Sequence, residues 1–182
     1  TTCEGEMMQV ANRGNTALTE GEYCDIITRK TAVLVEACCH LGAYYAEADA
    51  DTVRHLRTFG RALGIAFQIV DDLLDLTGDE SEVGKSLGRD VDEGELTLPL
   101  IHFLRTATPR RRARLLTLLG SVDPQRYREV ATLLRDSDSI AYAQNVAHEH
   151  IATARTALAA LPPSPARDSL STMAEFVLAR RQ

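Results

Sequence analysis

What this sequence lacks narrows it first. Twenty lysines and arginines are mixed with 26 aspartates and glutamates, for a formal charge of −6, so there is no basic field to hold a nucleic-acid backbone. Nucleic acid is therefore not an expected partner. The clusters Arg110-Arg111-Arg112 and Arg180-Arg181 are too short to change that, and the first reads as a solvated helix end. No apolar run reaches the ~18 residues of a membrane span, and no signal-peptide pattern is visible. The chain is expected in the cytoplasm, where it can still rest against a membrane. Cys3, Cys24, Cys38 and Cys39 have neither zinc-type spacing nor a disulfide framework, and are read as reduced core residues. No internal repeat, low-complexity tract or convincing alternating strand occurs.

What remains is helix. With 182 residues and 45% hydrophobic content, one substantial core can form, and residues 1–182 are read as one all-α domain or a large piece of one. A first helix runs to about Asn12. Thr19 and Glu22 make a capping-box pattern that opens a long helical stretch, Glu20 to Glu47. Asp49-Ala50-Asp51 punctuates it, and a second long helix follows from Asp51 to Leu76. Residues 78–95 are polar and glycine-rich and read as an irregular functional loop. Further helices are expected at Leu98–Thr106, Arg110–Leu119, Pro124–Arg135, Ser139–Leu161 and Ala166–Arg181. The chain begins with Thr1 already inside a helical pattern, which suggests that sequence precedes it.

The second long helix carries the chemistry. At about 100° per residue, Gln68, Asp71, Asp72 and Asp75 share one stripe roughly 100° wide, while Phe67, Ile69, Val70, Leu73 and Leu74 cover the rest. Unpaired carboxylates among apolar side chains cost several kcal/mol or take up protons, so three together need cations. Oxygen-only ligands point to a hard ion such as Mg²⁺, which shares its shell with waters and phosphate oxygens. A structural ion-pair network is the plainer reading, but three carboxylates within a turn and a half would still repel one another. Lys30, beside Thr31 in an apolar helical run, needs an anion or else snorkels at the bundle edge. Lys85 lies in the polar loop, where a lysine is ordinarily plain surface. His40, His55, His102, His148 and His150 fit no metal or triad spacing.

Phe67-Gln-Ile-Val-Asp-Asp-Leu-Leu-Asp75, with Gly64 before it and Gly84-Lys85 and Thr97-Leu-Pro-Leu100 after it, resembles the second aspartate-rich region of the all-trans polyprenyl diphosphate synthases. Glu4-Gly5-Glu6 with Gln9, Arg29-Lys30-Thr31-Ala32, Leu161-Pro162 and Ala174-Glu-Phe-Val-Leu178 extend the likeness over nearly the whole chain, closest to long-chain bacterial members. The resemblance implies a helical bundle of the isoprenoid-synthase type without its N-terminal helices. It also implies elongation of an allylic prenyl diphosphate by isopentenyl diphosphate, with Mg²⁺ or alternatively Mn²⁺, in a homodimer. By the same likeness Asp71 ligates metal directly, while Asp72 and Asp75 hold metal waters. Lys30 and Lys85 grip the allylic diphosphate, Thr31 and Gln68 lie beside the carbocation, and Arg180 and Arg181 help to close the site.

Two departures stand out. The family usually has a lysine where this chain has Glu95, so either that position faces solvent or diphosphate binding is weakened. The first aspartate-rich motif and the upstream isopentenyl diphosphate site are absent from these residues. The chain alone is therefore expected to be inactive. Its rivals are a non-catalytic helical subunit of a synthase and a terpene cyclase on the same fold, whose Asn/Ser/Glu metal motif does not occur here.

Overall fold

The computed structural model describes residues 1–78, 87–123 and 125–180, and every regular element among them is helical. In chain order they are α1 (Thr2–Ala11), α2 (Glu20–Ile27), a π-helical turn (Thr28–Ala32), α3 (Val33–Tyr45), α4 (Ala50–Thr77) and α5 (Arg89–Glu93). Then come α6 (Leu98–Thr106), α7 (Pro109–Leu119), α8 (Arg126–Arg135), α9 (Ser139–Ala159) and α10 (Pro165–Ala179).

The helix starts follow from local chemistry. Thr19 and Glu22 close the expected capping box, and the Asp49 carboxylate accepts from the Thr52 amide at 2.8 Å to start α4. Ser164 does the same for α10 through the Arg167 amide. Pro99, Pro109 and Pro165 sit in first turns, where no amide is missed.

Helix α4 is the axis of the bundle, packed against α3 on one side and α9 on another. Phe59, Ala66 and Ile69 are fully buried along it. The α9 stripe Ala143, Ala147, Ile151, Ala154 and Leu158 recurs at helical spacing and is buried throughout. On the α3 side contact is closer still. A Cβ at Gly60 would lie 2.8 Å from the Val35 carbonyl oxygen, and one at Gly64 would lie 2.5 Å from the Ala32 Cα.

Three expectations change. The stretch from Glu20 is not one regular helix, because the π turn at 28–32 inserts a residue between α2 and α3. The described part of the polar loop, 87–95, is not irregular but contains α5, set between Gly88 (φ 79°) and Gly94 (φ 73°). The cysteines are unpaired, but only Cys24 and Cys39 pack against the core, half-buried, while Cys3 and Cys38 are exposed.

Because the obstacle at Gly64 is backbone, Gly64→Ala is expected to destabilise the fold by about 1–3 kcal/mol despite the better helix propensity of alanine. An unchanged urea midpoint would show that the Ala32 backbone is free to yield.

Candidate active site

A cleft of about 550 Å³ opens among α1, α2, the π turn, α4, α5 and the residue that ends α10, Arg180. The π turn is pressed between glycines of two helices. A Cβ at Gly5 of α1 would lie 2.3 Å from the Lys30 amide nitrogen, and Gly64 of α4 lies against Ala32. This close approach brings Lys30 into the cleft wall and Thr31 against Gln68.

The three aspartates of the stripe occupy three environments. Asp72 is buried, with one carboxylate oxygen accepting from the Tyr23 hydroxyl at 2.7 Å and the other from Gln68 Nε2 at 2.8 Å. The Thr31 hydroxyl donates to Gln68 Oε1 at 2.7 Å, which completes a chain Thr31–Gln68–Asp72–Tyr23. Asp75 is half-buried and accepts from the backbone amides of Arg89 at 3.1 Å and Asp90 at 3.0 Å, so that it caps α5. Asp71 is half-exposed, and Arg180 Nη2 approaches it at 3.3 Å while that guanidinium lies 4.7 Å from the centre of the Phe67 ring. Phe67 is thus not buried as the periodicity predicts, and Asp71 is not sunk in the core. Of the three, only Asp71 has a guanidinium partner among the described residues, so the ion-pair network does not account for the stripe.

Sequence reasoning missed Asp90, whose carboxyl joins Asp72 and Asp75 in the cleft. It stands outside the stripe in a polar stretch, on a short helix that the Asp75 cap holds against α4. Burial pushes the Asp72 carboxyl up to about 7, against the hydrogen bonds from Gln68 and Tyr23 that favour its charge. Burial, with the charges of Asp72, Asp75 and Glu95, pushes Asp90 up to about 8. Asp75 is also raised, mainly by burial, and burial with the Asp72 charge holds the Tyr23 phenol well above its ordinary range.

Lys30 Nζ donates to Gln9 Oε1 at 2.9 Å and lies 3.7 Å from Glu6. Glu95 does not face solvent: its side chain is 12% exposed, turned to the cleft, and ion-paired with Arg13 at 3.0 Å. None of the five histidines lines this cleft. Lys85 and Arg181 lie outside the described residues.

Among the described residues no three His, Cys, Asp or Glu side chains converge as a ready metal cage. The donor set still suits a hard divalent cation, because Mg²⁺ takes one or two carboxylates and completes its shell with water and phosphate oxygens. Among the described residues no hydroxyl, amide or backbone N–H holds Asp71, so it is the stripe carboxylate open to direct ligation. Asp72 and Asp75 are already anchored and can orient metal-bound water.

Residues 1–136 match the family model described as polyprenyl synthetase. The chain belongs to the polyprenyl synthetase family. It is 36% identical over 178 residues to the short chain isoprenyl diphosphate synthase of Methanothermobacter thermautotrophicus, covering 98% of this chain and 55% of that protein. It is 30% identical to heptaprenyl diphosphate synthase component 2 of Bacillus subtilis, covering 98% of this chain and 51% of the relative. The crystal structure of a Caulobacter crescentus polyprenyl synthase complexed with calcium and isoprenyl diphosphate superposes with a TM-score of 0.91 at 32% identity, covering 100% of this chain and 56% of that one. The chain thus spans about half the length of the curated relatives it matches. Its all-α architecture is that of the polyprenyl synthetases.

The raised carboxyls carry a pH signature. Asp72, at about 7 when folded, lies above the ~3.9 of an unfolded aspartate, so the folded chain keeps a proton that the unfolded chain has released. That stabilisation is complete below pH ~4 and disappears as pH rises through about 7; Asp90 acts in the same direction up to about 8. Metal-free protein is expected to melt at higher temperature at pH 5 than at pH 7.5, and Asp72→Asn to shrink that difference. Equal melting temperatures for the parent chain at the two pH values, measured by calorimetry in EDTA, would contradict the assigned burial.

Proposed function

We propose that these helices form the diphosphate-ionising half of a prenyl-elongating enzyme, which joins an allylic prenyl diphosphate to isopentenyl diphosphate to give a longer all-trans product. One observation carries the reading: a polar cleft holds an accessible Asp71, the anchored pair Asp72 and Asp75, and the ammonium of Lys30 within a single apolar bundle.

The described cleft side chains have tasks that their geometry supports. Lys30 and Arg180 face the cleft and would bind the diphosphate oxygens, and we add Lys85 and Arg181 from the family likeness alone. Loss of diphosphate from the allylic carbon gathers negative charge on the leaving group, so cations there favour the transition state over the substrate. Mg²⁺, or Mn²⁺ in its place, would supply most of that neutralisation at Asp71, with its water shell hydrogen-bonded to Asp72 and Asp75. Gln68 lines the cleft, where its carbonyl, hydrogen-bonded to the Thr31 hydroxyl at 2.7 Å, would offer an oxygen dipole that tolerates a carbocation without capturing it, and Thr31 is added from the family likeness alone. The double bond of isopentenyl diphosphate attacks that cation, and loss of a proton restores an alkene.

We further propose a homodimer, in which exposed Met7 and Val10 of α1 supply apolar contact. The Bacillus subtilis relative, named as a component, makes a heteromer the alternative assembly. A reducing compartment such as the cytoplasm suits four unpaired cysteines. A non-catalytic subunit would have no physical use for Asp72 and Asp90 crowded into one cleft.

The chain is expected to bind inorganic pyrophosphate only with Mg²⁺ present, and Asp71→Asn to weaken that binding about tenfold or more, read by calorimetry. Metal-independent binding would remove the assignment. The sequence holds a single Asp-Asp-x-x-Asp cluster, so the purified chain given both diphosphates and Mg²⁺ is expected to show no elongation. Measurable product would show that one cluster suffices.

A further inference from the structure

The cleft lysine is the end of a continuous chain of hydrogen bonds. Lys30 Nζ donates to Gln9 Oε1 at 2.9 Å, and Gln9 Nε2 donates to Glu95 Oε2. Glu95 Oε1 accepts from Arg13 Nη2 at 3.0 Å and Nε at 3.3 Å, and Arg13 is also gripped by Glu93. The chemistry of the two ends fixes the amide between them. An ammonium only donates and a carboxylate only accepts, so Gln9 must turn its carbonyl to Lys30 and its NH₂ to Glu95. A side chain at 95 that offered donors and no acceptor, such as lysine, would invert the amide and aim N–H groups at the Lys30 ammonium. The backbone supports the same geometry, because the Gly14 amide donates to the Gly94 carbonyl at 2.7 Å and ties the turn beside Arg13 to the residue before Glu95.

We propose that Glu95 is a positioning residue for Lys30, acting through the amide of Gln9 and itself locked by Arg13. A negative side chain in a cleft that binds diphosphate is otherwise a liability. Here it sets the orientation of the group that holds the ammonium on the cleft wall. The relay stands on the hydrogen bonds alone, and only the identity of what Lys30 then grips rests on the functional reading given above.

Two neutral replacements separate positioning from charge, since Glu95→Ala and Glu95→Gln remove the same charge but only glutamine keeps an acceptor for Gln9 Nε2. Gln9→Leu cuts the relay while leaving Glu95 charged. Acetic anhydride labelling of the Lys30 amine, followed by mass spectrometry, is expected to run several-fold faster in Glu95→Ala and Gln9→Leu than in Glu95→Gln or the parent chain. Affinity for inorganic pyrophosphate with Mg²⁺ is expected to be about tenfold lower in Glu95→Ala than in Glu95→Gln, the size of one charge-assisted hydrogen bond. Identical behaviour of the alanine and glutamine variants, together with parental Lys30 labelling in Gln9→Leu, would overturn the proposal. If the parent chain binds no pyrophosphate but the labelling order holds, the relay stands and the prenyl-transfer reading falls. Should one cut variant lose its thermal transition, the other decides the comparison.

Discussion

The arrangement depends on keeping a carboxyl group inside apolar packing without letting it become an isolated charge. Asp72 meets this with one donor on each oxygen, Tyr23 from α2 and Gln68 from one turn back on α4. A single unsatisfied polar atom there would cost on the order of 1–3 kcal/mol, so the Tyr23 hydroxyl, the donor that crosses between the helices, ties α2 to α4. Thr31 then inherits its place, because Gln68 has spent its NH₂ group on Asp72 and has only its carbonyl left to offer. The interior polar chain is thus ordered by donor and acceptor count, and it ends at the wall of the cleft.

Around that core the charges are distributed rather than merely abundant. Lys30 is held from the α1 side and Arg180 from the end of α10, with Asp71 beside the latter. Arg180 rests on the exposed ring of Phe67, which supports the guanidinium by cation–π attraction where full hydration is lost. The cleft therefore has cations on two walls and carboxyls on its α4 and α5 sides, a layout suited to an anion that arrives with its own counterions.

Local signals carried much of this. The capping box at Thr19, the Asp49 cap and the prolines at helix starts are short-range chemistry, and they put α2, α4, α6, α7 and α10 where the sequence predicts them. The stripe on α4 is legible because side-chain periodicity survives folding unchanged. What periodicity cannot give is what lies opposite. Asp71 and Phe67 stay half-open under the Arg180 guanidinium, while Asp72 one position on is covered by Tyr23. The π turn is a one-residue insertion that leaves no mark on composition, and Asp90 reaches the cleft on a short helix that a carboxylate fifteen residues earlier caps. The position of Glu95 was equally unreadable, since its partners Gln9 and Arg13 are more than eighty residues away in the chain.

The cap on α5 has one more implication. Asp75 spends its oxygens on the amides of Arg89 and Asp90, and its own carbonyl accepts from the Gly88 amide at 2.9 Å. Whatever draws electron density from that carboxylate weakens its hold on the two amides, and whatever melts this short helix returns the carboxylate to solvent. Folding of the segment and any cation bound at that carboxylate would thus be linked, each shifting the other by the same free energy.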